Sequence, residues 1–103
     1  MRACITGAHW FEGRSIRTVE GHARTAPDGT VVLSPVQQAF IENFAFQCGY
    51  GTPGFVTGAS VLIERLRREP IRRDEVERVV TEALDRHICR CTGYVRYHQA
   101  VRD

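Results

Sequence analysis

Lysine is absent from this chain. All 14 basic residues are arginine, set against 12 acidic ones, for a formal charge of +2 over 103 residues. So small an imbalance gives no electrostatic footprint for nucleic acid. The arginine-only usage reads as a codon bias, not as a set of phosphate binders. Long apolar runs are absent too. Nothing approaches the roughly 20 residues of a membrane helix, and Met1–Gly7 holds no apolar stretch of signal-peptide length. The expectation is a chain without a membrane span, cytoplasmic, or exported only inside a folded assembly. Repeats and low-complexity segments are missing, which excludes collagen-like and compositionally disordered classes. No nucleophile–base pair stands out, so no catalytic residue is expected. His9, His22 and His98 stand alone and read as surface or packing residues.

What is present is enough sequence for one domain, able to bury roughly two-thirds of its unfolded surface without disulfide staples. Residues 1–33 carry turn formers, among them Gly7, Gly13, Gly21 and Pro27-Asp28-Gly29. The alternation Ser15-Ile16-Arg17-Thr18-Val19 predicts a short half-exposed strand. This region reads as an arm or linker of irregular and short-strand structure. From residue 34 the signals turn helical. Ser34-Pro35 is a cap followed by a proline suited to the first helical position, with Gln38 in the first turn. Val36, Ala39, Phe40, Phe44 and Ala45 follow as one apolar stripe, with Gly49 and Gly51 as its stop. Thr52-Pro53 repeats the start signal, and Phe55, Val56, Ala59, Leu62, Ile63 and Leu66 make a second stripe ended by Pro70. Asp74 with Glu77 predicts a capping box before a third stripe, Val76, Val79, Val80, Ala83 and Leu84. Tyr94 to Val101 predicts a short fourth helix after Gly93. The expected class is all-α: a small four-helix bundle over 34–103 behind the N-terminal arm.

Four cysteines remain to be explained. In a reducing compartment they read as metal ligands or free thiols sooner than disulfides. Cys48 follows the first predicted helix, and Cys89 and Cys91 follow the third. A bundle can bring those two ends to one pole, where surrounding glycines let backbone N–H groups approach sulfur. The Thr52-Pro53 helix start offers a positive dipole end there. Soft thiolates select iron–sulfur clusters, zinc or Cu(I). Spacing alone leaves two metals open, because His87 with Cys48, Cys89 and Cys91 also makes a Cys3His zinc set. Cys4, taken alone, reads as a small hydrophobe.

Gln47-Cys48-Gly49-Tyr50-Gly51-Thr52-Pro53-Gly54-Phe55 and Ile88-Cys89-Arg90-Cys91-Thr92-Gly93-Tyr94 resemble the two signatures of the helical iron–sulfur domain of molybdenum hydroxylases. That family includes xanthine dehydrogenase, aldehyde oxidoreductase and carbon monoxide dehydrogenase. Ser34-Pro35-Val36-Gln37-Gln38-Ala39-Phe40 resembles its entry into the first helix, and the likeness runs from about Arg2 to the end. The resemblance implies a non-catalytic electron-transfer subunit with a 2Fe–2S cluster. Electrons would pass from molybdopterin on a large partner subunit to a second cluster, and then to a flavin or cytochrome subunit. By position it makes Cys48, Cys89 and Cys91 cluster ligands. It aligns Gln47 with a residue that hydrogen-bonds the pterin, and Cys91 with the ligand nearest the pterin. Arg90 would offset thiolate charge.

Two departures follow. The first signature should read Cys-Gly-x-Cys, but position 51 is glycine. Four outcomes remain open: a substitute ligand from Tyr50, Thr52 or water; a three-thiolate 3Fe–4S site; a cluster-free scaffold; or an altered residue. Second, Arg2-Ala3-Cys4-Ile5 resembles the segment bearing the last ligand of a ferredoxin-like half that this sequence does not contain. The expectation is a separate ferredoxin-like 2Fe–2S chain whose cluster Cys4 completes. Trp10 and Phe11 read as partner-docking or local packing residues.

Overall fold

The computed structural model describes residues 3–103. Through residue 33 the chain is an arm of 3-10 turns (Ala3–Ile5, Ala8–Phe11 and Val19–His22) and one hairpin. The hairpin pairs β1 (Arg24–Thr25) with β2 (Val31–Val32), Arg24 opposite Val32 and Thr25 opposite Val31. Pro27-Asp28-Gly29 forms its turn: Gly29 takes a φ of +85°, and the Asp28 carboxylate accepts the Thr30 N–H at 2.9 Å. The strand expected over Ser15–Val19 does not form; that stretch is unpaired up to the turn at Val19. Alternation needs a neighbouring strand to become a sheet, and the turn residues supply one only farther along. No arm residue is fully buried among those described. Among the contacts that dock the arm, Val19 packs on the core, its carbonyl accepts from the Gln37 amide at 3.0 Å, and Arg17 pairs with Glu64 at 2.7 Å. The ion pair is half exposed and adds little.

Four α-helices follow among the described residues: α1 Pro35–Glu42, α2 Thr52–Arg68, α3 Val76–Leu84 and α4 Val95–Arg102. Ser34 caps α1 reciprocally. Its hydroxyl accepts the Gln37 N–H at 3.2 Å, and the Gln37 side chain accepts the Ser34 N–H at 2.8 Å. Gln37 thus takes the place that sequence gave to Gln38. Helix α1 ends well before the glycines that looked like its stop. The Asn43 amide bonds the Ala39 carbonyl at 2.9 Å, and Phe44 turns left-handed at φ +49°. Phe44 therefore leaves the apolar stripe and is exposed, while Ala45 is buried.

Gly51, not Thr52, is the cap of α2, and the helix closes with Arg65, Arg67 and Arg68 against its negative end. Before α3 the box also shifts: the Glu75 carboxylate accepts the Arg72 N–H across a 3-10 turn, Arg73–Glu75. α1 packs against α2 and α4, and α3 packs against the same two helices. Between them lie Phe40, Phe55, Leu62, Val79, Val80, Leu84 and Tyr97, all buried. The Phe55 and Tyr97 rings stack at 4.0 Å and 10°, and Phe40 meets Tyr97 at 5.6 Å. Arg102 closes α4 onto Glu77 of α3. No described helix is long and apolar enough to cross a membrane.

Because Phe55 is fully buried at the centre of this set, Phe55→Ala should lower unfolding free energy by about 3–5 kcal/mol. Loss of the α1 cap in Ser34→Ala should lower it by about 1 kcal/mol. Urea titrations of the two variants check both values and their order.

Candidate metal centre

Three of the four cysteines meet at the end of the bundle where α2 begins. Cys48 lies in the loop between α1 and α2, and Cys89 and Cys91 lie in the loop between α3 and α4. The Cys91 thiol donates to the Cys48 sulfur at 3.5 Å, and both residues are exposed. Cys89 is buried. The second loop doubles back because Gly93 and Tyr94 are left-handed in succession, at φ +66° and +70°. That reversal aims the Thr92 hydroxyl at the Cys89 sulfur, 3.2 Å away, and brings the Tyr94 hydroxyl to accept the Cys89 N–H at 3.0 Å. The Tyr97 hydroxyl lies 3.9 Å from the same sulfur and 3.2 Å from the Thr52 hydroxyl.

The electrostatics favour the thiolate at Cys48 and Cys89 and the thiol at Cys91. The Tyr50 backbone N–H, then the Cys91 thiol, hold Cys48 below its ordinary value. Cys91 is pushed up, because it donates the hydrogen in that contact and would otherwise set a second negative charge beside Cys48. Cys89 is pulled down to about 7, first by the Thr92 hydroxyl and then by the Thr92 N–H. Convergence of N–H and O–H donors on sulfur stabilises the anion that a soft metal needs.

Position 51 completes the picture. A Cβ built on Gly51 would lie 3.8 Å from the Cys89 Cβ, 3.3 Å from the Ile88 carbonyl oxygen and 3.9 Å from the Phe55 ring. The thiol-bearing positions thus fall into two pairs: Cys48 with Cys91, and Cys89 with residue 51. Three thiols at this pole would offer soft donors to an iron–sulfur group, and residue 51 adds none. A four-thiolate set does not fit this chain.

The other residues singled out from sequence separate from this centre. His87 does not join the sulfurs. Its ring lies against α2, with its Nδ1 3.1 Å from a Cβ built at Gly54 and its Nε2 2.6 Å from one built at Gly58, and it meets Phe55 at 5.1 Å. Burial pushes its pKa down. Among the described residues no three His, Cys, Asp or Glu side chains are grouped to hold a single metal ion. Turned into α2, His87 is not placed as the fourth ligand of a Cys3His set.

Gln47 and Arg90 are exposed beside the cysteines that follow or flank them. Cys4 is exposed in the arm's first turn, Ala3–Ile5. Trp10 is 66% exposed, and its ring meets that of His9 at 5.7 Å. Sequence reading missed Tyr97 and Thr92 as partners of Cys89. A hydroxyl directly after the Cys-x-Cys run was the available signal for Thr92. Tyr97 carried none, because it reads as one more apolar position of α4.

Comparison with known proteins bears out the resemblance. The family described as a 2Fe–2S binding domain matches residues 18–102. The chain is 43% identical over 103 residues to the nicotine 6-hydroxylase small subunit of Paenarthrobacter nicotinovorans, covering 100% of this chain and 55% of that protein. It is 37% identical over 101 residues to the xanthine dehydrogenase iron-sulfur-binding subunit of Escherichia coli O157:H7, covering 98% and 58%. It is 40% identical over 99 residues to the nicotinate dehydrogenase small FeS subunit of Eubacterium barkeri, covering 96% and 56%. The chain therefore spans just over half the length of these relatives. Since the family match runs through both cysteine loops and all four helices, the chain belongs to the 2Fe–2S binding domain family.

Proposed function

We propose that this chain is an electron-transfer iron–sulfur module of a molybdopterin-dependent hydroxylase or dehydrogenase complex. The observation that carries this reading is the meeting of Cys48, Cys91 and Cys89 at one pole, with backbone N–H and hydroxyl donors turned toward their sulfurs. In this reading the unit over 34–103 is an all-α bundle that carries the cluster, and 1–33 is an arm that leads to it. When bound, a cluster supplies a one-electron store, and the chain supplies its ligands, its charge compensation and its shielding. The buried Cys89 anchors it, Thr92 fixes the orientation and charge of that sulfur, and the exposed Cys48 and Cys91 turn it outward.

Gln47, exposed beside Cys48, is the residue for a hydrogen bond to the pterin of a large partner subunit, which Cys91 would approach most closely. The rim around the thiols is apolar and uncovered: Phe44 is 68%, Tyr50 95% and Ile88 83% exposed, as a docking face for that subunit requires. Cys4 would complete a cluster on a ferredoxin-like partner, with a flavin or cytochrome subunit beyond it. The setting is cytoplasmic.

Protein purified anaerobically with its accompanying subunits should contain iron and acid-labile sulfide in equal amount, and should give a paramagnetic signal on reduction. A colourless preparation with one zinc per chain would overturn the reading. Cys48→Ser and Cys89→Ser should each remove most of the iron, whereas Cys4→Ser should spare the signal of this centre. Thr92→Val removes a hydrogen bond to the Cys89 sulfur, which favours the more negative, reduced state. The variant's midpoint potential in a redox titration should therefore fall below that of the unaltered protein.

A further inference from the structure

Two sulfurs of this chain touch. The Cys91 thiol donates to the Cys48 sulfur at 3.5 Å, across 43 positions of sequence, and both residues are exposed. A disulfide holds its sulfurs at about 2.0 Å, so bonding asks for a closure of about 1.5 Å. Neither cysteine lies in a helix. Cys48 is in the loop between α1 and α2, and Cys91 in the loop between α3 and α4. Gly49 follows Cys48 at φ +79° with open space around it, and Gly93 turns at φ +66° two residues past Cys91. The closure therefore falls on two exposed side chains and loop backbone, not on the packed core.

The other two thiols stand apart. Cys89 is 8% exposed, and its sulfur meets the Thr92 hydroxyl at 3.2 Å and the Tyr97 hydroxyl at 3.9 Å. Cys4 is exposed in the arm's first turn, outside both loops. From Cys48 the spans to Cys89 and to Cys91 are nearly equal in length, so loop-closure entropy does not choose between them. The fold does, by burying one and setting the other against Cys48.

We propose that Cys48 and Cys91 form a reversible disulfide in the chain before it meets a metal or a partner: a redox lock that ties the two cysteine loops together and leaves Cys89 and Cys4 out of the bond. The lock needs only the two sulfurs, so it goes beyond the electron-transfer reading and does not rest on it. The oxidant is a low-molecular-weight disulfide. The Cys48 thiolate attacks one of its sulfurs, the S–S bond breaks, and one thiol leaves. Cys91 gives its proton to solvent and attacks the Cys48 sulfur of this mixed disulfide. The Cys48–Cys91 bond forms as the second thiol leaves. Two cysteines are oxidised by two electrons, and one small disulfide is reduced to two thiols. A dithiol reverses the exchange. While the bond stands, two of the pole's three thiols are closed to a soft metal.

The test uses the full chain, stripped of metal by a chelator, reduced with a phosphine under argon, and then given oxidised glutathione in dilute solution. N-ethylmaleimide caps the remaining thiols, and mass spectrometry of tryptic fragments reads the links. Cleavage after arginine puts each of the four cysteines on its own fragment, because Arg90 separates Cys89 from Cys91. The fragment with Cys48 should be joined to the one with Cys91 at least about tenfold more often than to the one with Cys89, the advantage of groups already in contact. In concentrated urea that preference should disappear. Cys89→Ser should leave the link unchanged. Cys91→Ser should leave Cys48 as a glutathione adduct, with no link passed to Cys89.

Equal joining of Cys48 to Cys89 and Cys91 in the absence of urea overturns the lock, as does a link map that urea does not change. Transfer of the link to Cys89 in Cys91→Ser overturns it too. Each of these results leaves the electron-transfer reading standing, which the iron and sulfide content of the complex decides separately.

Discussion

The stack of Phe55 on Tyr97, 4.0 Å apart and nearly parallel, is the contact on which both the core and the metal centre depend. Phe55 sits in the first turn of α2, and Tyr97 in the first turn of α4. Their stacking therefore fixes the two helix starts that flank the cysteine loops. Phe55 also meets His87 at 5.1 Å and Tyr94 at 6.1 Å, so one ring holds both sides of the loop carrying Cys89 and Cys91. Tyr97 extends the contact to Phe40 of α1. Offset and tilted aromatic pairs add to burial, and a phenol in such a core needs a partner for its hydroxyl. Here the partners are Thr52 and the Cys89 sulfur. Burial pushes the Tyr97 phenol up, which keeps it a neutral hydrogen-bonding group beside the thiol.

Helix starts and cysteine positions were legible because each rests on a short-range cause. Ser34-Pro35 and Thr52-Pro53 mark α1 and α2 to within a residue, since proline is tolerated only in the first turn. The stripe Val79, Val80 and Leu84 faces the core as its spacing demands. The end of α1 was not legible. Gly49 and Gly51 look like helix stops, but the helix has already ended where Asn43 satisfies the Ala39 carbonyl and Phe44 turns left-handed. A bulky residue in that conformation is uncommon, and no spacing rule predicts it. The nine residues 43–51 that this frees are what carries Cys48 across to Cys91.

His87 shows the opposite failure, in which a good local pattern is overruled from a distance. Its place two residues before Cys89 suits a zinc ligand. Gly54 and Gly58, four apart on α2, leave a notch on one face of that helix, and the imidazole fills it. The notch and the ring lie about thirty residues apart, so only the assembled bundle reveals the fit. A residue with any side chain at position 58 would sit 2.6 Å from the His87 Nε2. The glycine is therefore what keeps His87 in the helix packing and out of the metal centre.

Fold and metal chemistry are separable at position 51, where the resemblance leads one to expect a cysteine and the chain has glycine. Gly51 caps α2 without a side-chain hydrogen bond and in an ordinary helical conformation, so nothing in the helix start depended on a cysteine there. The aromatic contacts that assemble the pole come from Phe55, His87, Tyr94 and Tyr97, none of which needs residue 51. A glycine at 51 therefore leaves intact the contacts that bring the three cysteines to one pole. Cys48 and Cys91 keep their mutual contact at the surface, while the buried Cys89 sulfur meets the Thr92 and Tyr97 hydroxyls in place of a second thiol.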